Sequence, residues 1–467
     1  MNTKIENTII CLPIEILKRD LEVKIFLGLK FLKYYKKVIV GAQHELLKYI
    51  KDNKKDNNFI YLEKGLNNND DDPTYNFLLN NNCRIASLSE EGGIFDELWF
   101  TIFDSYASDK SIKYIDLLLN WGPMVHNRLL KERKKINNQN SFISGHPRFD
   151  LCKKEFNNFN KFKLKKYYKS KKKYILVIST FYDCNPMINN FVEDIFNKYI
   201  IWDAAGYKEF KNFQSNYALP YRKLVMNYFV DATLEIASKY KNINVIYRPH
   251  PSENSKTYEK LFKKIDNIII TNDGLVNEWI NSSEAVIHHD CTSALQTYFN
   301  GKTPISYCPV IDQNITQIMT IKISKIIKNK KELINLIGEA IKDPNKLKQK
   351  NDKDIDVRNF IDNLDYSSAD LITNLIYEKI SLKNKGNKNI INNNLKFSNK
   401  FFFKKTIKEK IIKLLFYPFV KKRENIKYFK INFKFIKEII SFMNSNNIKI
   451  DKLKYSKLGK YSFIIFK

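Results

Sequence analysis

Short runs of β-branched and aliphatic residues recur along this chain, separated by stretches of helix length, and that alternation admits few folds. Thr8–Leu12, Lys37–Val40, Phe59–Leu62 and Cys83–Leu88 read as strands, with helical segments at Glu15–Tyr35 and His44–Ile50 between the first three. Lys113–Trp121 continues the series, and Phe142–Arg148 supplies its last strand. Strand and helix signals in this order imply βαβ units around a parallel sheet. A Lys-, Asn- and Tyr-rich stretch without apolar period follows. A second series then starts at Tyr174–Ile178, passes a helical region at Asn189–Tyr240, and continues through strands at Asn244–Tyr247, Ala285–Ile287 and Thr303–Tyr307. Helical segments at Ile315–Ile341 and Ser367–Ile380 close it, the latter opening on a Ser-Ser pair suited to cap it.

A length of 467 residues accommodates two ordinary domains and an appendage. The expected fold class is therefore α/β, with two Rossmann-like doubly wound domains. The first spans residues 1–150, a linker or exposed helix spans 151–173, the second domain spans 174–380, and a basic Lys/Asn/Phe-rich tail spans 381–467.

Two strand ends concentrate the polar chemistry. Asn244–Tyr247 runs into Arg248, Pro249, His250, Pro251, Ser252 and Glu253, and about forty residues later Ala285–Ile287 runs into His288, His289, Asp290, Cys291, Thr292 and Ser293. Each turn alone has an ordinary explanation. Two prolines make a rigid turn, and Asp, Thr and Ser are common helix caps. Both turns follow apolar strands about one crossover apart, so they are expected side by side at the carboxyl edge of a parallel sheet, where open α/β sheets place ligands. Backbone N–H groups, the Thr292 and Ser293 hydroxyls and the cationic Arg248 and His250 would then converge on one anion, most simply a nucleotide phosphate.

The net charge of +30, from 80 basic and 50 acidic residues, favours anionic partners. The lysines are spread along the chain without a helix-turn-helix, zinc-finger or aromatic RNA-binding pattern, so nucleic acid is not an expected partner. A chain rich in Lys, Asn and Ile is also what AT-biased coding produces with no partner selected. The six cysteines have no C-x-x-C spacing, which indicates neither a metal site nor a disulfide framework and fits a reducing cytosol. Asp70, Asp71 and Asp72, set among asparagines before Pro73, read as a solvated turn rather than a metal motif. The amino-terminal residues lack the basic start and longer apolar core of a signal peptide, and no segment has the length to span a bilayer. In the tail, Phe401–Phe442 interleaves Lys with Ile, Leu and Phe. That pattern suits an anionic membrane face and equally a helix packing its apolar stripe on the core. The expected location is the cytoplasm, with peripheral attachment to the inner membrane face under the first alternative.

Two doubly wound domains facing a cleft, the second with phosphate-binding turns, resemble the GT-B architecture of nucleotide-sugar glycosyltransferases. The order Glu90-Glu91-Gly92, His250-Pro251, Thr292-Ser293 is similar to the acidic, His-Pro and paired-hydroxyl motifs of bacterial sialyl- and polysialyltransferases, with Thr292 in place of the first serine. Leu12–Ile16, Ser89–Gly93, Ser144–Asp150 and Gly301–Tyr307 resemble bacterial surface carbohydrate biosynthesis proteins, and the resemblance spans roughly residues 7 to 380. The Arg248–Pro251 turn is also similar to those of capsule Kdo transferases and CDP-glycerol glycerophosphotransferases. His146-Pro147 is a second His-Pro pair, assigned to the end of the first domain.

The resemblance implies a glycosyltransferase building a surface polysaccharide or glycolipid from a nucleotide-activated sugar, with a CMP-linked donor first. Glu90 or Glu91 would be the base for the acceptor hydroxyl, and His250 would donate to the leaving phosphate. Thr292 and Ser293 would hold its oxygens, Arg248 would add charge, Glu253 would accept from a ribose or base donor, and Pro251, His289 and Asp290 would shape or contact the nucleotide site. No metal or cofactor is required. The partners are then a nucleotide-sugar donor and a glycan or lipid-linked acceptor. The rival readings are a CDP-glycerol-type glycerophosphotransferase, a UDP-GlcNAc 2-epimerase-like enzyme and a non-catalytic scaffold.

Overall fold

The computed structural model describes residues 7–66, 73–90, 109–187, 214–312, 315–316, 318–350, 352–382, 433–444 and 448–467. Six strands come first: β1 (Thr8–Ile14), β2 (Lys37–Ala42), β3 (Asn58–Glu63), β4 (Cys83–Leu88), β5 (Leu117–Asn120) and β6 (Ser141–Ile143). Six more follow: β7 (Tyr174–Ile178), β8 (Asn244–Arg248), β9 (Ile268–Ile270), β10 (Ala285–His288), β11 (Ile305–Tyr307) and β12 (Lys325–Ile327). β13 (Lys454–Lys457) and β14 (Ser462–Phe466) form a hairpin much later in the chain.

The chain divides into two α/β units. Of the described residues, those within 7–90, 109–147 and 365–467 build the first, and those within 148–364 build the second. In the first unit the sheet order is β13-β14-β2-β1-β3-β4-β5-β6, with β1 to β6 mutually parallel and β14 antiparallel to β2. β1 is buried along its whole length, as the run Thr-Ile-Ile-Cys-Leu-Pro-Ile requires of a central strand covered on both faces. The helix Leu17–Phe31 buries Asp20, Glu22 and Lys24 along with Leu21, Val23, Ile25, Phe26 and Leu27, because the helices Ser368–Ile376 and Phe433–Met443 cover the side turned away from the sheet. A helix buried all round must pair its charges internally.

The second unit has the order β12-β11-β10-β7-β8-β9, all parallel. Alternate residues of β7 feed opposite cores. Ile175 and Val177 join Val225, Phe229 and Ile337 on one face, while Tyr174, Leu176 and Ile178 join Leu164, Trp279 and Ile280 on the other. Each such aliphatic side chain contributes about 1.5–3 kcal/mol by leaving water.

Three boundaries differ from the sequence-based expectation. Within 151–173 only 165–173 is largely exposed: the helix Asn157–Leu164 buries Phe159, Lys163 and Leu164 within the second unit. Aromatic and aliphatic positions among many lysines masked that face. The helix at Ser368–Ile376, capped by Ser367 Oγ accepting from the Asp370 N–H, belongs to the first unit rather than closing the second. The tail likewise returns to the first unit. Ile436, Ile439, Ile440 and Met443 of the Phe433–Met443 helix are buried, so within 433–442 the apolar stripe packs on protein; Phe401–Phe416 lies outside the described residues. β14 fits against β2 because residue 41 is glycine. A Cβ there would lie 2.5 Å from Ser462 Cα and 2.6 Å from the Tyr461 carbonyl oxygen, both backbone atoms that cannot yield. Among the described residues no helix is long and apolar enough to cross a membrane.

Candidate functional site

The strand order of the second unit selects one place for a ligand. The chain steps outward from β7 to β8 and β9, then returns to the other side of β7 for β10, β11 and β12. Reversal of this kind leaves a crevice beyond the carboxyl ends of the two strands where it occurs, here β7 and β10. The two motif strands are therefore not side by side as expected but flank β7. Val177 is in register with both Ile287 and Tyr247, so the two turns leave the sheet at one level, two strand spacings or roughly 10 Å apart.

The turn after β8 is shaped by Glu253, which is 2% exposed. One carboxylate oxygen accepts from the His250 N–H (2.8 Å) and Ser179 Oγ (2.9 Å), and the other accepts from Tyr258 Oη. Burial raises its pKa, and the surrounding donors oppose that shift. Glu253 was expected to meet a ribose or base; its oxygens instead staple the turn from within. Arg248 also differs from expectation. Its guanidinium donates to the carbonyls of Asp273 (2.7 Å) and Gly274 (2.6 Å), clamping the loop after β9, and burial lowers its pKa to about 10. Gly274 has φ +63°, a conformation that favours glycine.

His250 is left as the chemically available group of this turn, beside the exposed Pro251. Its Nδ1 accepts from the Ser252 N–H at 3.2 Å, so the neutral ring carries its proton on Nε2, which has no partner among the described residues. The ring lies against Tyr182 from the loop after β7, centroids 5.1 Å apart. Burial lowers the His250 pKa to about 4. A nitrogen-detected NMR titration should accordingly find His250 as the neutral Nε2–H tautomer throughout pH 5–8, protonating near 4. Protonation near 6.5, the ordinary value, would contradict that placement. The linkage sign follows: the unfolded ring takes up a proton first as pH falls below 6.5, so the His250 contribution to stability is lost between there and about 4.

The turn after β10 is held from behind by two consecutive residues of the helix Leu219–Lys239. Tyr221 Oη bonds His289 Nε2 (3.2 Å), and Arg222 Nη1 bonds both carboxylate oxygens of Asp290 (2.9 and 3.0 Å). His289 Nδ1 faces the Tyr307 carbonyl at 3.2 Å, and its backbone oxygen accepts from Ser306 Oγ. Burial lowers the His289 pKa. With 1% exposure and both ring nitrogens engaged, it shapes the turn from within, the second of the two roles expected of it, rather than facing a nucleotide. Ser293 is also buried, with Oγ 2.7 Å from Cys291 Sγ. Thr292 is different: it is exposed at the start of the helix Ser293–Phe299, and its side chain makes no capping bond. The clasping pair Tyr221–Arg222 and the ring of Tyr182 carried no motif in the sequence; only their place at the crevice identifies them.

In the first unit Glu90 stands at the carboxyl end of β4, 2% exposed. Lys24 Nζ lies 2.5 Å from one of its oxygens and His146 Nε2 lies 3.4 Å from the other. Trp121, at the end of β5, lays its ring 4.8 Å from that of His146 and donates its N–H to the Ser89 carbonyl (2.8 Å). Sequence reasoning placed Glu90 and His146 in this domain but missed Lys24. Glu91 and Asp70–Asp72 lie outside the described residues. Among the described residues no group of three or more His, Cys, Asp or Glu side chains is placed to hold a metal ion.

No protein-family model matches the sequence, and no curated protein is significantly similar to it. Solved structures of similar architecture include the S. aureus MnaA–UDP complex, 14% identical, covering 81% of this chain and 98% of its own at TM-score 0.44. The UDP-GlcNAc 2-epimerase from Neisseria meningitidis bound to UDP-GlcNAc is 13% identical over 80% of this chain and 100% of its own, TM-score 0.44. The wall teichoic acid polymerase TagF is 11% identical over 80% and 89%, TM-score 0.41. At such identities and scores these likenesses assign neither activity nor substrate, and the two-unit parallel α/β fold rests on the strand orders themselves.

Proposed function

We propose that this chain transfers a group from a nucleotide-activated donor, a cytidine-linked sugar first of all, to a glycan or lipid-linked acceptor during surface carbohydrate synthesis. The observation that carries the proposal is the state of His250: a neutral imidazole held by the Ser252 N–H, with a donating Nε2, at the carboxyl edge of a sheet whose strand order reverses beside it. A donor of this kind suits the oxygen of a departing phosphate. The exposed Thr292 hydroxyl supports the same assignment. Arg248 and Glu253 act as supports of the His250 turn.

In the proposed step the acceptor hydroxyl loses its proton to a carboxylate, its oxygen bonds to the anomeric carbon, and the bond from that carbon to the nucleotide phosphate breaks as His250 donates to the phosphate oxygen. Glu91 is the base in this reading, because Glu90 is buried and its charge is already matched by Lys24. A polyol-phosphate donor is the second reading, favoured by the Arg248–Pro251 turn, and would leave a phosphodiester in the product.

Thermal stabilisation of the full chain by CMP, CDP, UMP, UDP and GDP tests the proposal, since a ligand of the native state at about 100 times its dissociation constant adds about 2.7 kcal/mol. CMP is expected to give the largest shift. A response to UDP alone would replace the donor class and favour the epimerase-like reading, and no response to any of the five would overturn the function.

A further inference from the structure

One hydroxyl at the crevice has no bonding partner among the described residues. Thr180 follows β7 by two residues, its Oγ1 is shielded from solvent, and none of the described residues bonds it. Buried side-chain hydroxyls are satisfied in the large majority of cases, because an unpaired one forfeits its bonds to water without replacement. Looseness of the loop does not explain the orphan, because its neighbours are fixed. Ser179 Oγ donates to Glu253 (2.9 Å), Phe181 is fully buried in the core, and Tyr182 packs on His250. Asn185 donates its backbone N–H to the Phe181 carbonyl at 2.8 Å, closing the turn. The loop thus holds an unsatisfied hydroxyl in place at the carboxyl end of β7, one of the two strands between which the sheet reverses, while the exposed Thr292 follows the other.

We infer that Thr180 is a ligand-binding residue whose Oγ1–H donates to a phosphate oxygen of the nucleotide donor. The inference rests on the nucleotide-dependent function proposed above. A hydroxyl suits this task because it can donate to an anionic oxygen and still accept from a neighbouring donor. Thr292 supplies the matching hydroxyl at the end of β10, so two threonines rather than an arginine bind the phosphate.

The inference makes a prediction of opposite sign for stability and for binding. Thr180→Val removes the hydroxyl and keeps the branched shape, so the ligand-free full chain should unfold at or above the wild-type midpoint. Nucleotide affinity, measured by calorimetry with whichever of CMP, CDP or UDP binds the wild type best, should fall by about tenfold to a hundredfold, the effect of one hydrogen bond to a charged oxygen. Thr180→Ser, which keeps the hydroxyl, should bind close to wild type. Wild-type affinity in Thr180→Val overturns the inference while leaving the proposed function standing. A clear drop in its ligand-free midpoint also overturns it, because the hydroxyl would then have an internal partner. Failure of the wild type itself to bind any of the nucleotides overturns the function and the phosphate role together.

Discussion

His250→Ala is expected to reduce turnover by about a hundredfold to a thousandfold, the range associated with loss of one hydrogen-bond donor aimed at charge that develops on a leaving oxygen, and to weaken nucleotide binding as well. The proposed mechanism separates this variant from Glu91→Gln. The glutamine should stop turnover to a similar extent while nucleotide affinity stays near wild type, since the base is proposed to act on the acceptor. Turnover and nucleotide affinity measured on both variants would check this. Equal activity in wild type and both variants would sink the assignment. A loss of affinity in Glu91→Gln as large as in His250→Ala would show that the acidic motif meets the donor instead.

The second large effect concerns stability. Lys24→Met should cost the first unit about 3–5 kcal/mol, the loss expected when one partner of a buried ion pair is removed and the other charge is left behind. Lys24 and Glu90 are 1% and 2% exposed, so water cannot compensate. His146 lies 3.4 Å from the other Glu90 oxygen and does not replace the ammonium contact that the substitution removes. Calorimetric unfolding of the variant and of the double variant Lys24→Met/Glu90→Gln checks this, with the double expected to recover part of the loss. An unchanged unfolding temperature in Lys24→Met would mean that Glu90 is not buried as described.

The strands that sequence made legible are those whose side chains are apolar on both faces, such as Thr8–Ile14, Tyr174–Ile178 and Asn244–Arg248. β9 and β12 were not, because each has only three residues and β12 buries only Ile327 among them. The two turns were legible as places but not as roles. A polar residue in a turn can face inward or outward, and periodicity does not distinguish the two. Arg248, Glu253 and His289 turned inward to bond the protein's own backbone and side chains, whereas Thr292 is exposed. Lys24 carried no signal of burial in the sequence, since the helices that pack on its own helix, Ser368–Ile376 and Phe433–Met443, lie more than three hundred residues away.

That same distance matters while the polypeptide is being made. β2 is complete at Ala42, but its antiparallel neighbour β14 begins at Ser462. At roughly 5–20 residues per second, synthesis of the intervening chain takes on the order of 20–80 seconds. Throughout that time one edge of the first sheet is without its neighbour, while the whole of 148–364 emerges and can collapse on its own contacts. An uncovered edge strand invites pairing with another nascent chain. The hairpin of β13 and β14, with Lys454 and Lys457 on its outer strand, then acts as a late closure that replaces a long-lived adhesive edge with a charged one.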